Sequence, residues 1–177
     1  MLIVRNTNLP DGRRGIDVLT QAGRITAIGA KLAVPDGAEV VEADGQLLSP
    51  PFVDAHFHMD ATLSYGLPRV NASGTLLEGI ALWGELKPQL THDALVERAL
   101  QYCDWAVAKG LLAIRTHVDV CDARLLAVRA LLQVKATVAP WLDLQLVAFP
   151  QDGLLSSPAA LANLKRALDL GDRKSVV

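Results

Sequence analysis

The sequence predicts an α/β protein: a small β unit over residues 1–50, then strand–helix repeats over residues 51–177. Three observations carry this. The first fifty residues hold short β-prone runs separated by turn signals, Ser49-Pro50-Pro51 breaks the chain, and beyond it apolar strand runs alternate with stretches of helical period.

In the first unit the β-prone runs are Leu2 to Val4, Ile16 to Leu19, Arg24 to Ile28 and Val40 to Glu42, with Gln21-Ala22-Gly23 as the turn between the second and third. Pro10-Asp11-Gly12, Pro35-Asp36-Gly37 and Asp44-Gly45 punctuate the rest, since Pro presets one turn dihedral and Gly supplies a positive φ. A small antiparallel sheet is expected.

The second unit has strand runs at Phe52 to Phe57, Leu112 to Val118 and Leu142 to Phe149. Thr75 and Glu78 have the spacing of a capping box and open a helix that Pro88 ends. Thr91 caps a longer helix, with Leu95, Ala99, Cys103, Ala106 and Val107 on one face and Gly110 past its end. Asp122 is expected to cap the next, with Leu125, Val128 and Leu132 inward and Pro140 beyond. Ser157-Pro158 opens a last one that carries Leu161, Leu164 and Leu168 before Gly171. Helices of this length between parallel strands suit a (β/α) barrel or a doubly wound sheet alike. No Gly-x-Gly-x-x-Gly follows the first of these strands, so a dinucleotide site has no support.

Composition narrows the function. With 177 residues, 51% hydrophobic and 20% charged, the chain can bury a sizeable core. Its net charge is -2 and its Lys and Arg are scattered, so it lacks the basic stripe that nucleic acid or acidic lipid requires, and a small neutral ligand is expected. Cys103 and Cys121 have no CxxC spacing and read as reduced thiols of a cytoplasmic protein. The N-terminus shows no basic segment followed by a long apolar one, and no apolar run is long enough to span a bilayer.

The richest stretch is Ser49-Pro50-Pro51-Phe52-Val53-Asp54-Ala55-His56-Phe57-His58-Met59-Asp60. Strand alternation puts His56 and His58 on one face with Phe52 and Asp54, close enough to share one metal ion, although a bare His-x-His without further context favours the reading of two satisfied polar residues. His117 and Asp119 share a face at the end of the second parallel strand, as supports of a pocket rather than ligands. His92 reads as a surface residue, and Trp83, Trp105 and Trp141 as packing around helices.

In this setting the His-x-His resembles that of the amidohydrolase superfamily. Gly74-Thr75-Leu76-Leu77-Glu78-Gly79-Ile80, Arg115-Thr116-His117-Val118-Asp119-Val120, Ala139-Pro140-Trp141-Leu142-Asp143-Leu144-Gln145 and Val147-Ala148-Phe149-Pro150-Gln151 resemble the cytosine deaminase branch in the same order, up to about Gly171. The resemblance implies the first three or so β/α units of a TIM-type (β/α)8 barrel, preceded by part of a small β-sandwich. It implies that His56 and His58 ligate one divalent ion, iron(II) or zinc, that Gln151 hydrogen-bonds a pyrimidine ring, and that Phe149 and Leu76 wall the pocket. A glutamine amide both donates and accepts, as the edge of a cytosine-like ring does. The implied reaction is hydrolysis of free cytosine to uracil and ammonia by a metal-activated water. The His-x-Glu and Pro-Cys-x-x-Cys signatures of the deaminases that act on nucleic acid are absent.

Two other readings stand beside it: a sister aminohydrolase acting on another nitrogen heterocycle, such as an N-alkylated hydroxytriazine, and a catalytically silent remnant. A closed barrel takes about 250 residues. The family's third metal-binding His, proton-shuttling Glu, further His and metal-binding Asp are therefore expected beyond Val177. Asp172-Arg173-Lys174-Ser175-Val176-Val177 departs from the family pattern, as a truncated or frameshifted reading frame would. On this reading the chain alone is inactive and exposes a sheet edge prone to association, and assembly into a homo-oligomer stays open.

Overall fold

The computed structural model describes residues 1–155 and 157–171, which form two compact units divided between Pro50 and Pro51. In the first, β1 (Leu2–Thr7), β2 (Ile16–Gln21), β3 (Arg24–Gly29) and β4 (Glu39–Glu42) form one sheet in the order β3-β2-β1-β4. Ala22 and Gly23 both take positive φ at the β2–β3 turn, the geometry that matches the twist of a tight hairpin. Ile3, Ile16 and Val18 are buried.

The sheet is mixed, not antiparallel throughout, because β4 pairs with β1 in parallel. β3 and β4 run the same way, so residues 30–38 carry the chain back along the strand length instead of turning a hairpin. The buried Asp17 carboxylate secures both ends of this arrangement, accepting from Asn6 N and Leu32 N at 2.9 Å each.

The second unit contains β5 (Phe52–Phe57), α1 (Leu76–Leu86), α2 (His92–Ala108), β6 (Leu111–Asp119), α3 (Leu126–Val138), β7 (Asp143–Phe149) and α4 (Ala160–Leu170). Its sheet runs β5-β6-β7, all parallel. On β6 and β7 one face is buried by Ile114, Thr116, Val118, Leu144, Leu146 and Ala148, which pack with Leu95, Ala99 and Cys103 of α2 and Val128, Leu131 and Val134 of α3. The alternating residues His117, Val147 and Phe149 face the other way and stay half-exposed.

Helix starts show where local signals met competition. Thr75 caps α1 by accepting from Glu78 N, as expected, but the reciprocal half of the box is absent. The Glu78 carboxylate instead takes Ser73 N, Ser73 Oγ and Arg69, which offer charge-assisted partners. Lys87–Gln89 forms a 3-10 turn that closes α1 around Pro88.

Asp122 does not cap α3. Its carboxylate is bound to Arg124, and the cap position falls to Leu125, a fully buried left-handed residue (φ 48°) with no side-chain cap bond. The last helix starts at Ala160 rather than Ser157-Pro158, and it turns Ala160, Asn163 and Ala167 inward while Leu161 is exposed.

Candidate active site

The C-terminal edge of the β5-β6-β7 sheet opens into a cavity of about 390 Å³. His58 and Asp60 enter it from just past β5, Phe149 from the end of β7 and Gln151 from the loop that follows. Leu76, Gly79, Ile80 and Trp83 close it from α1. In open parallel sheets and in barrels this edge is where ligands bind, because loops leave the rigid strands there.

The strand that delivers the histidines is irregular. Asp54 pairs with Ile114 but Phe57 with Thr116, so β5 carries an extra residue in the stretch containing His56, and Asp54 Oδ1 accepts His56 N at 3.1 Å. A bulge of this kind re-aims a side chain. Strict alternation from Asp54 to His58 is therefore broken.

His56 nevertheless stays beside His58, with ring centroids 5.4 Å apart at 61°, and stacks on His117 at 3.9 Å and 22°. Phe149 meets His58 and His117 edge-on at 5.3 and 5.7 Å. Burial, then the neighbouring His56 and His117, lowers the pKa of His58; burial and His56 lower that of His117. Neutral imidazoles are the form that ligates a metal.

A second cluster lies behind this one. Asp119 accepts from Trp83 Nε1, Lys87 Nζ and Cys121 N, each at 2.8 Å. Lys87 also reaches Asp152 at 3.0 Å. Although burial alone would raise it, these bonds hold the Asp119 pKa below the ordinary value. Asp60, 1% exposed, receives Asp119 N at 2.8 Å and Ala61 N at 3.0 Å, yet burial and the nearby Asp119 charge push it up to about 7.

The structure thus brings His58, Leu76, Phe149 and Gln151 around one cavity, with His56 next to His58 but outside the lining. The Gln151 side-chain amide makes no hydrogen bond among the described residues. The sequence alone does not mark Asp60, Ile80 and Trp83 as pocket residues. Leu76, Ile80 and Trp83 follow the predicted cap at Thr75 at helical spacing, which was the available signal. Trp83 lines the cavity as well as packing, while Trp105 and Trp141 are 53% and 39% exposed, so neither is the packing residue expected. His92 begins α2 at the surface beside Asp93, and Cys103 and Cys121 are free thiols.

A family model described as "Amidohydrolase family" matches residues 39–171, three quarters of the chain. The chain belongs to the amidohydrolase family. The 5-methylcytosine deaminase of Klebsiella pneumoniae, solved with 5-fluorocytosine, is similar at 40% identity and a TM-score of 0.87 over 96% of this chain. The N-isopropylammelide isopropylaminohydrolase of Burkholderia multivorans follows at 30% and 0.79 over 96%. The curated N-isopropylammelide isopropyl amidohydrolase of Pseudomonas sp. (strain ADP) is 33% identical over 96% of this chain. This chain spans only 41%, 43% and 43% of these relatives' lengths.

Amidohydrolases act on small molecules and generally use a divalent metal such as zinc or iron. The His56–His58 pair fits as part of such a site, since two adjacent imidazole side chains suit either ion. Among the described residues no group of three or more His, Cys, Asp or Glu side chains is arranged to hold a metal ion, whereas a catalytic zinc usually takes three protein ligands. Among the same residues no helix is long and apolar enough to cross a membrane.

Proposed function

We propose that this amidohydrolase site serves the hydrolytic deamination of a cytosine-type heterocycle, on the first β/α units of a (β/α)8 barrel preceded by part of a small β-sandwich. The observation that carries the reading is the convergence of His58, Leu76, Phe149 and Gln151 on one cavity at the strand ends. Cytosine plus water gives uracil plus ammonia.

In this reading His56 and His58 hold one zinc or iron(II) ion, which when bound activates water and polarises the ring. Gln151 donates to and accepts from the ring edge with an amide that has no competing partner among the described residues. Leu76 and Phe149 flank the ring as apolar lining residues. His117, stacked on His56, fixes that ligand's plane, and Asp119 supports the wall behind it. Two unpaired thiols agree with a cytoplasmic setting.

Ligand binding to the purified chain, with cytosine, 5-methylcytosine and N-isopropylammelide as probes, tests the assignment. A pyrimidine should bind and lose about tenfold or more in affinity on Gln151→Ala, as a site built to hydrogen-bond its ligand does. Ammonia release is not expected from this chain by itself, because two histidines fall short of a catalytic ligand set. Preference for the triazine would move the assignment to the sister activity, which the 33% identical Pseudomonas relative favours. Binding of none of the three would sink both.

A further inference from the structure

The α1 wall of the cavity is fastened by bonds separate from anything His56, His58 or Gln151 makes. Trp83 and Ile80 line the cavity from the same helix. The indole N–H of Trp83 is committed to Asp119 Oδ2 at 2.8 Å, which leaves the rest of the ring to face the cavity. That carboxylate is 3% exposed and is balanced by Lys87 Nζ at 2.8 Å. Lys87 lies one turn beyond Trp83 and also holds Asp152, the neighbour of Gln151.

This is a costly way to hold a ring that merely packs. Burying an ion pair rarely adds net stability, and a phenylalanine fills apolar space without needing a partner for an N–H. What the bonds do achieve is a fixed ring orientation, so a ligand that touches the indole does not bear the cost of ordering it. The part of the lining that α1 supplies, Leu76, Gly79, Ile80 and Trp83, is apolar, whereas His58, Asp60 and Gln151 supply its polar groups. A planar nitrogen heterocycle with its polar edge on Gln151 would have the α1 residues as apolar partners for a small apolar substituent.

Building on the heterocycle reading above, we propose that Trp83 is a substrate-contacting residue that sets which ring substituents are accepted, and that Asp119 and Lys87 are its positioning residues. The site then discriminates a methylated from an unmethylated pyrimidine through the indole face.

The test uses the full chain with Trp105→Phe and Trp141→Phe, which leaves Trp83 as its one tryptophan. Cytosine and 5-methylcytosine are titrated while indole emission is followed, with affinities measured independently by equilibrium dialysis. The expected result is a change in emission on binding and a preference for 5-methylcytosine that falls about fivefold or more on Asp119→Asn and, in the otherwise unaltered chain, on Trp83→Ala; one methyl group in a pocket is worth about tenfold or more. Trp83→Phe should restore part of the preference, whereas Gln151→Ala should weaken both ligands alike. A residue with only a structural role would lower stability without changing the ratio of the two affinities.

Intact binding with the same ratio in Trp83→Ala and Trp83→Phe would overturn the inference while leaving the heterocycle reading in place. Binding of neither ligand to the parent chain would overturn both. Should Trp83→Ala or Asp119→Asn fail to fold, Lys87→Met and Trp83→Phe decide by the same ratio.

Discussion

His56 of β5 and His117 of β6 stack with ring centroids 3.9 Å apart and planes 22° from parallel. His58 lies near both rings, and after burial these two neighbours lower its pKa. Removing His117 admits water to His58 and deletes a neighbouring positive charge, so His117→Ala should raise the pKa of His58 toward its ordinary 6.5. Proton NMR titration of the imidazole resonances of metal-free protein checks this. An unchanged or lower midpoint would refute it.

Asp60 and Asp119 should bend the stability–pH curve in opposite directions. The folded pKa of Asp60 is raised from 3.8 to about 7 by burial, so folding favours its protonated form; that contribution is complete below pH 3.8 and is lost as pH rises to about 7. The folded pKa of Asp119 is held down, so its contribution is present above the ordinary carboxylate value and is lost as pH falls through the folded pKa. Thermal unfolding across pH should show Asp60→Asn flattening the decline toward neutrality and Asp119→Asn lowering Tm most at neutral pH. Parallel curves for the parent and Asp60→Asn would mean that Asp60 is ionised throughout.

Leu131 is fully buried in α3, while Leu155 is 97% exposed. Leu131→Ala removes transfer energy and leaves a cavity, an expected loss of about 2–5 kcal/mol. Leu155→Ala should stay within about 0.5 kcal/mol. Urea unfolding of the two variants makes the comparison.

At the start of α1, Thr75→Ala deletes the cap acceptor and should cost about 1 kcal/mol in the same assay. Ser73 tests the neighbouring carboxylate. Its hydroxyl and N–H, followed by Arg69, hold Glu78 at about 2, so Ser73→Ala should move the Glu78 midpoint upward. Carboxyl carbon NMR titration reads it directly, and a midpoint still near 2 would assign the effect to Arg69.

Much of this was legible in the sequence because it rests on local chemistry. The parallel strands start at Phe52, Leu111 and Asp143, within a residue of the apolar runs, and Thr75 and Thr91 cap the helices they precede. Leu76, Phe149 and Gln151 came from the family resemblance, and they meet His58 at one cavity.

What escaped depends on distant partners. β4 joins β1 in parallel through a contact that no local period encodes. Leu125 gives up an ordinary helix start because its side chain is wanted in the core, and the β5 bulge exists only relative to β6. Trp83 looked like packing because its partner, Asp119, is thirty-six positions away.

The cavity draws on two separate stretches of the second unit, β5–α1 and the end of β7, and the whole of α2, β6 and α3 lies between them in the chain. Such sequence-distant closure is slow relative to forming a helix, since the loop must be drawn in before any contact rewards it. His58 and Gln151 line one cavity only when β7 is paired with β6, so the site is complete only in the folded second unit. Occupancy of the site becomes a reporter of assembly, and a ligand added during refolding should bind only once β7 is paired with β6.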